Sequence, residues 1–211
     1  MDTIAIIIAS LSIVIAALTF YFTQLQAPKL TALIGPSFNF YYADYSSGGS
    51  SAMYLPVTFI NRSTKTGTIT NVAIRIYKKD LPEQSYLMQW REFSKLNPEE
   101  SIWVYEEMAH ALAIPGKSTI NKIIWFMWEA DSKPKLILQK GAYKIDFYYW
   151  EQPNKPPHLE THGFVISDSI YDKFEQFRSE KSKTVIPIRL DKQIEQNRFM
   201  TEHEVQRLLG K

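Results

Sequence analysis

The chain opens on an unbroken apolar run. Residues 4–22 are almost wholly apolar, and no charge falls anywhere in 3–28. A helix of that run, at ~1.5 Å per residue, spans about 28 Å, close to the ~30 Å hydrocarbon core of a bilayer. Phe20, Tyr21 and Phe22 stand at its end, where interfacial rings belong. Asp2 stands at its start, where a carboxylate suits the positive end of a helix dipole. A cleaved signal peptide would need a basic n-region and a shorter apolar core. The n-region here is Met-Asp, so residues 1–28 read as a retained single-pass anchor in the lipid bilayer.

The run has texture. Ala5, Ala9, Ser12, Ala16, Thr19 and Thr23 recur by four and three, apart from Ile7, Leu11, Val14 and Leu18. Small side chains let helices approach closely in lipid, and hydroxyls can bond across the contact. The stripe predicts packing against another transmembrane helix, from a copy of this chain or from another membrane protein. Lys29 is the nearest basic residue and follows the run, which favours a translocated N-terminus and a cytoplasmic body. The sequon Asn61-Arg62-Ser63 is the opposing signal, and it counts only in a glycosylating host.

From residue 29 the period changes to two. Short β-prone runs at 30–34, 38–42, 53–60 and 69–77 are separated by turn chemistry, including Ser46-Ser-Gly-Gly-Ser-Ser51. Pro56 predicts an edge position or a bulge in its strand. The runs at 53–60 and 69–77 read as a hairpin or a short crossover. Residues 81–113 mix strand and short helix signals. A long strand follows at 120–129. Residues 136–138 and 143–150 read as a hairpin about Lys140-Gly141, and 159–166 as a further strand after the proline cluster 153–157. Such strands predict an antiparallel sandwich or barrel over 29–167 rather than βαβ units.

In the last part, 168–211, the period lengthens. Ile170, Phe174 and Phe177 predict an amphipathic helix over 168–179. A late strand is expected at 185–190 and a helix over 191–209, with Thr201 and Glu204 as a capping box, Met200 and Val205 as its staple and Gly210 as its stop.

An anchor leading into Leu55-Pro-Val-Thr-Phe-Ile-Asn-Arg-Ser63, Ile69-Thr-Asn-Val-Ala-Ile-Arg-Ile76, Ile114-Pro-Gly-Lys-Ser118 and Gly141-Ala-Tyr-Lys-Ile-Asp-Phe147 resembles the immunoglobulin-like or fibronectin-type sandwiches of single-pass bacterial proteins. The resemblance covers about residues 30–167. It implies a mainly β, immunoglobulin-like sandwich with C-terminal helices and a binding or scaffolding role. A Cys…Trp…Cys core is absent, which excludes a true antibody-type domain.

Composition narrows the chemistry. The 211 residues hold 24 basic and 22 acidic side chains, too even a balance for nucleic acid as the main partner. No cysteine is present, which excludes a disulfide framework, a thiol nucleophile and a cysteine metal site. Residues 111–118 fit a loose phosphate-loop pattern. Their Leu, Ile and Pro, and the β-prone run that follows, suit a strand-to-strand turn instead. On a strand, His158, Glu160 and His162 share one face and carry the donor atoms of a zinc site, although the outer pair would lie ~13 Å apart without a bend. Glu99-Glu100, Glu106-Glu107, His110 and His203 read as surface charge. No catalytic set and no cofactor are expected.

Aromatic residues make up 14% of the chain and crowd together: Phe38 to Tyr45, then Trp125, Phe126 and Trp128, then Tyr148, Tyr149 and Trp150. Such runs place rings on both faces of a strand, and one face of a two-layer sandwich ordinarily meets water. Either tail helices cover that second face or a partner does, with Trp125, Trp128, Tyr148 and Trp150 as the partner surface. The leading expectation is a membrane-tethered, non-enzymatic β domain that binds a protein or scaffolds a membrane complex. The alternative is a metal- or ligand-binding accessory of a membrane enzyme or transporter, centred on His158, Glu160 and His162.

Overall fold

The computed structural model describes residues 2–21, 27–43, 49–100, 102–190 and 201–208. Phe22, Thr23, Tyr45, Met200, Gly210 and the helix expected over 191–200 lie outside these residues, as do the side chains of His203 and Val205. The first element, α1 (Asp2–Phe20), is an α-helix. It is long and apolar enough to cross a membrane, and none of it is buried against the rest of the chain.

Strands make up about half of the described residues. They run β1 (Leu30–Ile34), β2 (Ser37–Ala43), β3 (Ser50–Asn61), β4 (Gly67–Ile69), β5 (Asn71–Lys78), β6 (Leu81–Asn97), β7 (Ile102–Met108), β8 (Leu112–Ile114), β9 (Ser118–Trp128), β10 (Gly141–Trp150), β11 (His158–Ile166) and β12 (Ile186–Arg189). Ten of them form one antiparallel sheet whose main path is β11-β10-β5-β6-β9-β3-β2-β12, while β4 and β8 pair separately. The two ends of the path come together inside the domain, where Phe38 of β2 meets Phe164 of β11 edge-on at 5.0 Å.

The sheet is thus nearly closed as a barrel, and an immunoglobulin-like pair of separate sheets is not confirmed. The cause of the closure is β6, a strand of 17 residues. Its first half pairs with β5 and its second half with β9, with the register shifting between Trp90 and Glu92. A bulge bends a strand and raises its twist, so one strand serves both walls.

Alternation sets the core. Phe38 and Phe40 of β2, Leu55 and Phe59 of β3, Ile74 and Ile76 of β5, Ile124 and Phe126 of β9, and Ile145 and Phe147 of β10 are all 0% exposed. Phe59 faces Phe147 and Tyr149 across the interior at 6.5 and 6.3 Å. Pro56 stands on an interior strand, not an edge. It is tolerated because β1 pairs with residues 57–61 and β2 with residues 50–54, so Pro56 falls where one partner hands over to the other.

Several local expectations need correction. Of the hairpin and crossover readings of β3 and β5, the crossover holds, since the two strands do not pair and β4 intervenes. Residues 81–113 hold only strands among their regular elements. Residues 136–138 are not a strand, and β10 pairs with β5 and β11 instead. Side chains take the role of the ladder there. The Leu138 amide donates to the Tyr42 hydroxyl at 3.0 Å, the Gln139 amide donates to Tyr143 at 2.9 Å, and Ser51 donates to the Leu136 carbonyl at 2.6 Å.

The next helix, α2 (Asp168–Ser179), is capped by Ser167 and buries Phe174. Phe174 packs against Phe40 and Tyr42, each at 5.4 Å. Phe174 therefore plugs the interior, while the rest of α2 lies at the surface. Phe174, Ile186, Ile188 and Leu190 are buried in the same core as the strands, so residues 168–190 are part of the β unit. Among the described residues the chain closes on α3 (Glu202–Leu208), where the Glu204 carboxylate accepts from the Thr201 amide at 2.9 Å, as a capping box requires.

Candidate functional site

With Phe174 directed into the core, α2 leaves the outer rings half-buried on the barrel wall. On the face formed by β2, β3 and β9, Trp125 donates its indole N–H to the Tyr41 hydroxyl at 2.9 Å. Tyr41 stacks on Tyr54 at 5.6 Å, and Tyr54 stacks on Trp103 at 5.8 Å. Burial first, and then the hydrogen bond with Tyr41, push the Tyr54 pKa well up, so this hydroxyl keeps its proton. The Arg91 guanidinium lies 5.8 Å over the Trp125 ring and pairs with Glu129. Trp103 comes from β7, which pairs only with β6 among the described strands. For its ring to reach Tyr54 on β3, the β6–β7 hairpin must fold back across this face.

That hairpin is the most apolar exposed feature of the body. Leu96 and Ile102 are 49% exposed, Tyr105 55% and Met108 64%. Its root is fixed electrostatically. Lys122 holds Glu107 at 2.7 Å and Glu106 at 2.9 Å and stands 4.8 Å over the Phe93 ring. Burial works against the Lys122 charge, but the two carboxylates outweigh it and raise the pKa. The Lys122 hydrogen bond in turn lowers the Glu107 pKa.

The four rings expected to form one surface are placed in three locations. Trp125 belongs to the array just described. Trp128 packs edge-on against Tyr86 at 5.1 Å and donates to the Pro134 carbonyl, so it closes the core. Tyr148 and Trp150 lie 6.2 Å apart on the outer face of β10, on the opposite wall. Beside them is a buried carboxylate. Asp146 accepts from Thr161 at 2.7 Å and from Tyr148 and Tyr77 at 3.4 and 3.5 Å, with Arg75 at 3.7 Å. A charge at 5% exposure is stabilised only when partnered in this way, and the cluster fixes the wall.

The histidine strand does not converge. His158 pairs with Glu151 at 3.0 Å and stacks on Tyr149 at 4.7 Å. His162 lies 3.6 Å from Glu160. Among the described residues no group of three or more His, Cys, Asp or Glu side chains is placed to hold a metal. The straight strand keeps the two histidines apart, as its rise dictates. Residues 112–118 run strand, turn, strand, with no helix to receive a phosphate.

Asn61 of the sequon is buried at 1% exposure. Its amide donates to the carbonyls of Lys65 and Ile114 at 2.6 and 2.9 Å, and its oxygen accepts from the Ser63 amide and hydroxyl. The Asn61 side chain is a loop knot.

Sequence reasoning missed a basic cleft of about 470 Å³ between β3 and α2. Lys135, Arg178 and Lys181 line it with Glu175, Ser50 and Ser51. The buried Ser50 hydroxyl has no hydrogen-bond partner among the described residues. The serine tract at 46–51 was the available signal, but only the fold sets Ser50 and Ser51 against the end of α2.

On the small-residue stripe, Ser12 donates to the Ile8 carbonyl within its own helix at 2.9 Å. The Ala5, Ala9, Ala16 and Thr19 positions are exposed along α1.

No family model matches the chain, and no curated protein matches it. Among solved structures, an ApaA protein from Bordetella pertussis aligns over 67% of this chain and 95% of its own, at 10% identity and a TM-score of 0.33. A family 123 glycoside hydrolase from Clostridium perfringens aligns over 65% of this chain and 27% of its own, at 10% identity and a TM-score of 0.33. At these scores neither likeness carries an argument about activity.

Proposed function

We propose that this chain is a membrane-tethered, non-enzymatic β domain that captures a protein partner along the β6–β7 hairpin. The observation that carries the reading is the edge strand β7. Its outer edge is unpaired among the described strands, and it exposes Ile102, Tyr105 and Met108 beside the Trp103–Tyr54–Trp125 array. Natural proteins usually blunt such an edge with charge or proline; here Glu106 and Glu107 of β7 are both tied to Lys122, and the apolar remainder of the edge is a template for an added strand. The partner that fits is an extended segment with apolar side chains at alternate positions. In this reading α1 is the anchor, its stripe at Ala5, Ala9, Ser12, Ala16 and Thr19 packs on another membrane helix, and the body is cytoplasmic, as Lys29 favours.

A photo-crosslinking residue at Tyr105, in the full chain in its native membrane, tests the proposal. A discrete adduct heavier than the monomer is expected, and it disappears when Met108→Glu is added. A crosslinker at the exposed Gln139 serves as control. Monomer alone at Tyr105 removes the proposal.

A second reading, a ligand-binding accessory, is favoured by the cleft at Ser50 rather than by the histidines. Three cations against one carboxylate suit an anionic ligand. Raised melting temperature in inorganic phosphate, lost in Arg178→Gln, would support it.

A further inference from the structure

We infer that the end of the domain where the anchor joins it is a second membrane contact, a basic collar that seats on anionic lipid headgroups. The inference rests on the anchor reading of α1. Three loops and the residue before β1 meet at this end. The Arg62 amide donates to the Lys29 carbonyl at 3.0 Å, and the Lys117 amide donates to the Ser63 carbonyl at 2.8 Å. The Tyr149 hydroxyl donates to the Leu30 carbonyl at 3.4 Å, and the Thr70 amide donates to the Trp150 carbonyl at 2.7 Å. The loops 62–66, 115–117 and 151–157 therefore surround the point where the chain arrives from α1.

Cations dominate these segments, with Glu160 of β11 near Tyr149 as the neighbouring acid outside them. Lys29, Arg62, Lys65, Lys117 and Lys155 face a single carboxylate in these segments, Glu151, and His158 already holds it at 3.0 Å. None of the five cations forms an ion pair among the described residues, whereas Arg75, Lys78, Arg91, Lys122, Lys140 and Arg178 all do. The loops are also rigid. Asn61 ties residues 63, 65 and 114 together. A side chain at Gly116 would collide with the Thr64 backbone, its Cβ 2.0 Å from the carbonyl oxygen. Lys117 holds the left-handed conformation at φ 54, where glycine would be less strained. The backbone that carries Arg62, Lys65 and Lys117 is thus held in place.

The apolar surroundings match. Trp150 ends β10 at this rim, half-buried beside Tyr148, and Leu159 opposite Tyr148 is 55% exposed. Tryptophan and tyrosine are the side chains that populate the headgroup level. The chain between Tyr21 and Leu30 reaches at most about 30 Å even fully extended, so a bilayer holding α1 lies near this end. Anionic headgroups attract basic segments held within a Debye length of ~8–10 Å, which direct seating provides.

The absence of cysteine makes the test clean. The full chain carrying Asn154→Cys is labelled with a fluorophore and placed in lipid nanodiscs that contain headgroup-nitroxide lipid. One set is phosphatidylcholine alone, and the other includes phosphatidylglycerol. The label at 154 is expected to be quenched severalfold more in the anionic discs, and high salt is expected to abolish the difference. A label at Gln139→Cys, beyond the opposite end of β10, should show no difference. The variant Arg62→Gln, Lys117→Gly, Lys155→Gln should lose the difference as well. Its exposed charges and its glycine at a left-handed position keep the fold, which circular dichroism verifies. Equal quenching in both discs overturns the collar while leaving the anchor intact. A chain that never enters the discs overturns the anchor, and the collar with it. A crosslink from position 154 to a protein in native membranes would assign the rim to that protein and overturn the lipid contact.

Discussion

The interior of the domain and its outer faces use different rings. Inside stand Phe38, Phe40, Phe59, Phe93, Phe126, Phe147, Phe164 and Phe174, each at 0% or 1% exposure. Outside stand Trp103, Trp125 and Trp150, half-buried and joined by Tyr41, Tyr54, Tyr77 and Tyr148, while Trp90 and Trp128 pack half-buried against the margin of the core. The difference follows from the polar handle. A phenyl ring loses nothing on burial, whereas an indole N–H or a phenol O–H needs a partner. Buried tyrosines obey the same rule from within, since Tyr42, Tyr143 and Tyr149 each have a backbone partner. High aromatic content therefore has two separate causes here. One set fills a barrel, and the other arms its surface.

Emptying the interior should have the largest effect. Phe147→Ala leaves a cavity opposite Phe59 and should destabilise the domain by about 3–5 kcal/mol in urea unfolding. Removing a knot is the next largest. Asn61→Ala strands two buried carbonyls and Ser63, and should lower stability by about 1–3 kcal/mol, read as a drop in melting temperature. The third effect is alkaline. Burial first, and then the charges of Glu160 and Glu151, push the Tyr149 pKa up to about 12. A phenol whose folded pKa exceeds its unfolded value of about 10 favours the folded state below that pH. Its contribution is lost as pH rises from about 10 to about 12, so Tyr149→Phe should unfold less steeply across that window in an alkaline titration. The smallest effect on stability belongs to the outer face. Met108→Glu should stay within about 0.5 kcal/mol of the native chain while abolishing the crosslink expected from position 105. A large loss of stability there would erase the distinction between filling and arming.

Much of this was legible from periodicity. Residues 4–22, alternation at 69–77 and the spacing of Ile170 and Phe174 each announce their element, because a single face decides the pattern. Pairing was less legible. Tyr143–Trp150 looks like half of a local hairpin, yet its partners are 64 or more positions upstream in β5 and just downstream in β11, and alternation says nothing about which strands meet. The bend in β6 was also hidden, since a bulge is a property of register rather than composition. The surface was legible only as an excess of rings. That Trp128 closes the core while Trp125 faces outward follows from parity along β9, and the run Trp125-Phe-Met-Trp128 carries both parities at once. The rim cations were individually visible. Their convergence depends on loops that lie far apart in sequence and meet only through Asn61, Lys117 and Tyr149.

The claim that the outer rings and the β7 edge serve a partner is tested most directly by thiol reactivity in place. In the cysteine-free chain, Met108→Cys is exposed to a membrane-impermeant maleimide, first in opened native membranes and then after purification in detergent. A covered edge predicts protection in the membrane and full reactivity once purified, with Gln139→Cys reactive in both. Equal reactivity of position 108 in membrane and detergent would contradict the account, because an edge that no partner covers in its own membrane is not a docking strand.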